Sequence, residues 1–182
     1  MLAPHEHHRP SAPMTVFAAL LRAVNVGGTG ALPMADLRAL CEAARFKRVR
    51  TYIQSGNVVL DSAHPEAKVK AMLEKALAAK MGQPVGVMVR TGAELDAILA
   101  DNPFPGSEPA KTLVVFLDEA PAANLLDGLV AAGGEEVRLG RREIYVRYPD
   151  GQGSSKLKVP GAKTGTARNL NTVAKLAAMT KE

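Results

Sequence analysis

Aromatic residues and cysteines are scarce in this sequence. It has no tryptophan, three tyrosines, four phenylalanines and one cysteine, Cys41. A single cysteine excludes an intramolecular disulfide and any zinc or iron–sulfur site built from several cysteines. The core must therefore consist mainly of Leu, Val, Ala and Met, and we interpret Cys41, beside Leu37 and Leu40, as one small member of it.

Long hydrophobic runs are also missing. No apolar stretch approaches the ~20 residues that span a bilayer, and residues 1–13 lack the hydrophobic region of a secretory signal. We interpret residues 1–13 as a flexible leader that is dispensable for folding, with Met14 as an alternative start, and we expect a cytoplasmic protein. Three of the four histidines fall in this leader, where nothing fixes a metal geometry. The sequence therefore predicts no metal and no cofactor.

The net charge of +5 is confined to the end of the chain. From Gly151 onward a single acid, Glu182, accompanies six basic residues: Lys156, Lys158, Lys163, Arg168, Lys175 and Lys181. The residues before Gly151 carry equal numbers of acidic and basic side chains. Such a local surplus attracts phosphates, nucleic acid or acidic partners, although a solvated tail that aids solubility has the same composition.

Hydrophobic residues make up 47% of the 182, enough for a folded unit that buries about 70% of the surface of the extended chain. The apolar pattern predicts strands near Thr15, Val49, Asn57 and Val85. Helices that begin at Pro33 and Pro65 separate these strands, and Ser55-Gly56 forms a hairpin turn. The order β-α-β-β-α-β is that of a ferredoxin-like unit.

The second half of the chain repeats this order. Thr91 begins a capping box for a short helix, and strands are predicted near Leu113, Val137 and Ile144. A helix is expected from Pro121 through Val130, and a last helix around Leu170 to Ala177. The predicted fold class is α+β, with two tandem ferredoxin-like halves, βαββαβ and βαββα, packed into one unit. We assign residues 14–91 to the first half and residues 92–182 to the second.

Four segments of the sequence stand out as motifs: Leu20–Gly28 (LLRAVNVGG), Met34–Leu37 (MADL), Thr51–Val58 (TYIQSGNV) and Thr166–Val173 (TARNLNTV). Together they strongly resemble the signatures of a bacterial family called domain of unknown function 1697. The resemblance extends from Met14 over essentially all of the remaining chain. It implies a fold of two similar α/β halves and no assigned activity.

A glycine-rich loop between the first strand and the first helix is one candidate binding site. Gly27 and Gly28 lie where a phosphate cradle would sit, and Arg22 and Asn25 add polar groups at the strand end. Pro33 stands where a dinucleotide fingerprint needs its third glycine, and the Lys-Ser/Thr pair of a P-loop is absent. A tight β-to-α connection is therefore the simpler explanation of these glycines.

The predicted hairpin turn is a second candidate. Gln54, Ser55 and Asn57 can each donate and accept hydrogen bonds, so they can contact a base edge or a sugar. A turn alone also explains Ser55-Gly56.

The segment before the last helix is a third candidate. Unpaired backbone N–H groups and the helix dipole favour an anion there, and Lys163 and Arg168 add positive charge. Thr166 and Asn169 supply further polar groups, and Lys156 can fold over to join them. Thr166 can instead serve only as a helix cap.

These candidates favour a protein that binds a small phosphate-bearing, nucleotide-like ligand. A non-catalytic interaction or assembly module is the alternative. Nucleic-acid binding is less favoured, because the paired aromatics of RNA-binding sheets are missing. Whether the chain is an enzyme stays open, since neither a Ser-His-Asp nor a Cys-His arrangement can be assembled. The sequence does not predict an oligomeric state.

Overall fold

The structure of the chain is a computed structural model that describes residues 12–26 and 30–182. Most of the expected leader lies outside the described residues, as do Gly27 and Gly28. The described part forms two four-stranded antiparallel sheets with four α-helices. None of the helices in this part is long and apolar enough to cross a membrane.

The first sheet has β1 at its centre. It consists of β1 (Thr15–Leu21), β2 (Lys47–Tyr52), β3 (Asn57–Ser62) and β4 (Val87–Thr91). The strands pair in the order β2-β3-β1-β4, and every pairing is antiparallel. The four predicted strands therefore lie in one sheet, as the ferredoxin-like order requires.

Two helices, α1 (Met34–Ala43) and α2 (Glu66–Met81), cover one face of the first sheet. Each follows a proline, whose fixed φ suits the start of a helix. The side chains that they bury completely are Leu37, Cys41, Val69, Leu73 and Leu77. Burial raises the pKa of Cys41 to about 12, which keeps it a neutral thiol at physiological pH. Cys41 is thus confirmed as a small core residue.

The second sheet repeats the first. It consists of β5 (Thr112–Phe116), β6 (Glu136–Leu139), β7 (Glu143–Arg147) and β8 (Thr166–Asn169). Its order is β6-β7-β5-β8, so that β5 occupies the central place that β1 has in the first sheet. Two ferredoxin-like halves packed together are therefore confirmed.

The central layer of the molecule contains α3 (Gly92–Ala100) and α4 (Leu170–Met179). Thr91 forms the predicted capping box with Glu94, and the Asn169 side chain caps α4 by accepting from the N–H of Thr172. Apolar side chains of both helices share one core with residues of both sheets: Ala18, Leu20, Leu95, Ile98, Val114, Phe116, Val173 and Leu176. This shared core joins the two halves.

The prediction of a helix from Pro121 through Val130 is wrong. The structure has consecutive turns there, closed by N–H···O=C bonds three residues apart, such as Leu125 to Ala122. Gly128 adopts a left-handed φ of 73°, and Val130 is 76% exposed, so the apolar periodicity does not continue. Leu125 nevertheless packs on the outer face of the second sheet.

The prediction for the segment before the last helix also needs correction. Thr166–Asn169 is the edge strand β8, which pairs with β5, and the helix begins only at Leu170. The order βαββα missed this strand, because four residues are too short to show a convincing alternation. The buried side chains of Thr166 and Arg168 do alternate with the exposed Ala167.

Gly56 is fixed by the packing of the β2–β3 turn against β1. It is buried, has a φ of 86°, and a Cβ there would lie 2.5 Å from Val24 Cγ2. We expect Gly56→Ala to lower the free energy of unfolding by roughly 3 kcal/mol, because it adds a left-handed penalty to a steric clash. Gly106→Ala is the matched control, since a Cβ at Gly106 meets nothing within 4 Å. Urea denaturation measures both, and equal losses would contradict the prediction.

Candidate functional site

Two loops meet at one end of the first sheet, and we call residues 22–26 and 53–57 together the loop cluster. Asn25 ties them to each other: its Nδ2 donates to the carbonyl oxygens of Leu32 and Gln54, both at 2.8 Å. Its Oδ1 accepts from the N–H of Leu32 at 2.6 Å. A single amide thereby closes the β1–α1 loop and attaches it to the β2–β3 turn.

The loop cluster holds three non-glycine residues in the left-handed region. These are Ala23, Asn25 and Ile53, with φ values of 51°, 55° and 51°. Asn tolerates this conformation, whereas the β-branched Ile53 is strained there, at a typical cost of ~1–3 kcal/mol. Ile53 is also 47% exposed, so little core packing offsets the strain. Strain of this kind concentrates at binding sites.

Within the loop cluster, Asn57 and Ser55 form the buried side, where hydrogen bonds hold the turn in place. Asn57 is fully buried, and its Nδ2 donates to the Tyr52 carbonyl at 2.9 Å and to Ser55 Oγ at 3.0 Å. Its Oδ1 accepts a 2.7 Å hydrogen bond from Arg168 Nε. Asn57 therefore positions the turn rather than facing solvent, while the side chain of Gln54 is exposed.

Arg168 reaches from β8 into the first sheet and is 8% exposed. Besides Asn57, its guanidinium donates to Thr166 Oγ1 and to four carbonyl oxygens, those of Leu21, Ser55, Gly56 and Ala167, at 2.8–3.2 Å. Thr166 Oγ1 also donates to the Leu21 carbonyl. Every guanidinium nitrogen is thus engaged, and none is left to contact a ligand directly.

The buried charge of Arg168 has no anionic partner. All of its acceptors are neutral, and within the described residues no carboxylate lies within 4.0 Å of its guanidinium. Burial lowers the pKa of Arg168 to about 10, so it stays charged at neutral pH. Buried charges are usually paired, and this one is stabilised only by neutral oxygen dipoles, so a charge without a counter-ion lies beneath the loop cluster.

Arg22 is a second cation, and it follows directly after β1. It follows Leu21, whose carbonyl accepts from Arg168, and its own N–H donates to the Gly86 carbonyl at 2.8 Å. Its side chain is exposed and has no ion-pair or hydrogen-bond partner in the described part of the chain. The structure thus places the buried guanidinium of Arg168 at the end of β1 and the exposed side chain of Arg22 beside Gly86, on the β4 side.

The predicted site residues fall into two groups. Asn25, Gln54, Ser55, Asn57, Thr166 and Arg168 come together at the loop cluster. Arg22 belongs to the cluster by its backbone, and its side chain lies beside Gly86. Lys156 instead lines a separate cleft beside Gly133 and Glu135, and no described hydrogen bond or ion pair connects Lys163 with Arg22. Gly27 and Gly28 are outside the described residues, and Asn169 serves as the cap of α4.

The basic surplus of the last segment does not form one patch. Arg168 is buried, Lys181 pairs with Asp96 at 2.7 Å, and Lys175 lies over the ring of Tyr52. No group of three or more residues suited to hold a metal occurs among residues 12–26 and 30–182. The chemistry at the loop cluster is therefore that of cations and hydrogen-bonding groups.

Sequence reasoning missed Arg90, the largest of the fully buried side chains in the part of the chain that the structure describes. It lies in β4 and donates from Nε to Glu143 of β7 at 3.1 Å and from Nη2 to the Leu117 carbonyl at 2.6 Å. The pKa of Arg90 is lowered, first by burial and then by the neighbouring Arg142, with Glu143 acting in the opposite direction. The available signal was an arginine directly after the apolar run Val87–Val89 in the same strand, where a charge is unusual unless it is paired.

The family is shown by sequence comparison. The family model described as protein of unknown function, DUF1697, matches residues 14–145, more than half of the chain. The chain belongs to this family. None of the proteins with curated functions matches it.

A solved structure has the same fold over nearly the whole chain. It is that of the conserved bacterial protein SP0830 from Streptococcus pneumoniae, with a TM-score of 0.77 and 25% sequence identity. The match covers 92% of this chain and 99% of the other. The structural match supports the architecture, and neither the family nor the matched protein is described with a ligand or a reaction.

Arg168 provides a sharp test of how the two sheets are held together. We expect Arg168→Met to lower the free energy of unfolding by about 3 kcal/mol, because four carbonyl oxygens and Asn57 lose a charged donor. Arg147→Met is the control, since Arg147 is an arginine of the same sheet that is half-buried and pairs with Glu136 at its edge. Its loss should cost under about 1 kcal/mol. If chemical denaturation gave the same loss of unfolding free energy for both variants, Arg168 would not hold the two sheets together.

The strain at Ile53 has a measurable consequence. We expect Ile53→Asn to raise the free energy of unfolding by about 0.5–1 kcal/mol, because Asn adopts the left-handed conformation more readily. Val130→Asn is the control, because Val130 is also exposed and β-branched but has no left-handed φ. The free energy of unfolding of this control should hardly change. Thermal denaturation followed by circular dichroism measures both. If Ile53→Asn were less stable than the wild type, the packing of the Ile53 side chain would outweigh the strain of its backbone.

Proposed function

We propose that the chain binds a small phosphate-bearing ligand, of nucleotide-like size, at the loop cluster. The observation that carries the proposal is the buried, unpaired charge of Arg168 directly beneath loops that also expose Arg22. A bound anion would supply the counter-charge that the described residues lack. This replaces the placement at the start of the last helix, where Asn169 already caps the first turn.

The two arginines have different roles in this proposal. Arg22 is the contact residue, because its exposed fork is free to form charge-assisted bonds with phosphate oxygens. Arg168 acts through the field of its charge and by holding the Ser55 and Gly56 carbonyls in place. A charge-assisted bond commonly contributes about 1.5–3 kcal/mol. With few other contacts, the affinity is expected in the millimolar to micromolar range.

The turn supplies the groups that would distinguish one ligand from another. The exposed side chain of Gln54 can donate and accept, so it suits a sugar or a base edge next to the phosphate. Lys156 and Lys163 are left out, because no described contact brings them to the loop cluster.

We propose a cytoplasmic location for this activity. The chain has one cysteine, Cys41, which is a free buried thiol, and a chain without disulfides suits a reducing compartment.

An interaction module is the second candidate function, and one observation favours it. Among residues 12–26 and 30–182, four large hydrophobic residues are exposed, and two of them, Val26 and Ile53, lie in the loop cluster, at 53% and 47% exposure. Apolar groups beside a cation are typical of a surface that contacts another protein. Size-exclusion chromatography with light scattering would detect self-association through this surface.

The test of ligand binding uses calorimetric titration at low salt with phosphate, a mononucleotide and sulfate. We expect Arg22→Ala to weaken binding of the phosphate compounds by at least about tenfold, or 1.4 kcal/mol, because it removes the contact fork. Arg38→Ala is the matched control: it removes the same charge from the exposed face of α1, where Arg38 pairs with Glu42. The control should bind as the wild type does.

Two outcomes would overturn the proposal. Equal affinities of Arg22→Ala and Arg38→Ala would show that the phosphate binds elsewhere or only through net charge. No heat with any of the three compounds would leave the interaction module as the function that the loop cluster supports.

A further inference from the structure

A cleft of about 430 Å³ lies between α3 and the β6–β7 hairpin, apart from the residues proposed to hold phosphate. This volume is within the range of small-molecule sites. The floor contains the ion pair Arg90–Glu143, whose side chains are 1% and 6% exposed. Tyr145 closes one wall, held by a hydrogen bond from its hydroxyl to the Ile98 carbonyl at 2.8 Å. The floor and this wall are therefore fixed in position.

The charges that line the cleft cancel each other. Three arginines, Arg90, Arg141 and Arg142, face three carboxylates, those of Glu94, Asp101 and Glu143. Arg142 pairs with Glu94 at 3.2 Å and with Glu66 at 2.8 Å. A ligand of one sign would gain from one set of groups and be repelled by the other.

The pair Arg141–Asp101 differs from the other two. Its side chains are 79% and 53% exposed, and the closest nitrogen–oxygen distance is 3.5 Å. Exposed pairs of this kind contribute little stability, so exchanging them for a ligand costs little. A ligand that carried both charges could satisfy Arg141 and Asp101 at once, whereas an ion of either sign would leave one of them without its partner.

The remaining wall is apolar. Ala97 and Ile98 of α3, Pro103 and Leu139 line the cleft beside the exposed pair. A ligand that places its two charges on Arg141 and Asp101 can therefore bury a hydrocarbon side chain against these residues.

We propose that this cleft binds a small zwitterion with an apolar side chain, of the chemical class of a free α-amino acid. The ligand carboxylate accepts from the Arg141 guanidinium, and its ammonium group donates to Asp101. The ammonium and carboxylate groups of the ligand are attached to the same carbon, so their separation is as short as that of the Arg141–Asp101 pair. The hydrocarbon side chain lies along Ile98 and Leu139.

The experiment is a titration with L-leucine, followed by calorimetry and by amide chemical shifts. Two analogues serve as controls, 3-methylbutylamine, which lacks the carboxylate, and 4-methylpentanoate, which lacks the ammonium group. We expect both analogues to bind at least about tenfold more weakly than leucine. Asp101→Asn and Arg141→Gln should each weaken leucine binding by a similar factor, and Arg22→Ala should leave it unchanged.

Each other outcome overturns the proposal. Analogues that bind as well as leucine would show that the charge pair is not recognised. Variants of Asp101 and Arg141 that bind normally would place the ligand elsewhere, and both variants should fold because the side chains are exposed. No shifts up to the solubility limit with leucine, methionine or phenylalanine would exclude this ligand class. The result is independent of phosphate binding, since Arg22 is tested separately.

Discussion

A buried guanidinium without a counter-ion is the constraint on which much of this molecule depends. The side chain of Arg168 satisfies its donors only if the end of β1, the β2–β3 turn and β8 are all in place, because its acceptors come from all three. Elsewhere the sheets are separated by α3 and α4 and share an apolar core, which is tolerant of small shifts. The hydrogen bonds of Arg168 are directional, and they fix the relative position of the two sheets at this end.

The same constraint explains why strained backbone persists in the loop cluster. The carbonyls of Ser55 and Gly56 accept hydrogen bonds from Arg168, which fixes the turn. The fixed turn holds Ile53 in the left-handed conformation, which a β-branched residue disfavours. Asn25 extends the effect to the β1–α1 loop through Gln54. Residues 22–26 and 53–57 are therefore held in place by the interior, so binding of a ligand would require little further ordering of them.

The sequence was informative where a local rule determines structure. Pro33, Pro65 and the capping box at Thr91 all predicted helix starts that the structure has. Prediction from the sequence failed where contacts between distant residues determine the structure. The leucines near Leu125 have helical spacing, but their backbone forms turns and their side chains pack on the second sheet. Arg168 was recognised as a charge at the candidate site, yet only its neighbours from the other half make it a buried clamp.

The outer face of the second sheet has no helical cover, since turns from residues 121–134 and loop residues near Leu157 and Val159 occupy the place that α1 and α2 have in the first half. Turns protect few backbone amides, so this layer should open at a lower free energy than the rest of the chain. Proteases and amide exchange would reach it first. Insertions and replacements in this layer would also be tolerated best, because neither the clamp nor the central helices depend on it.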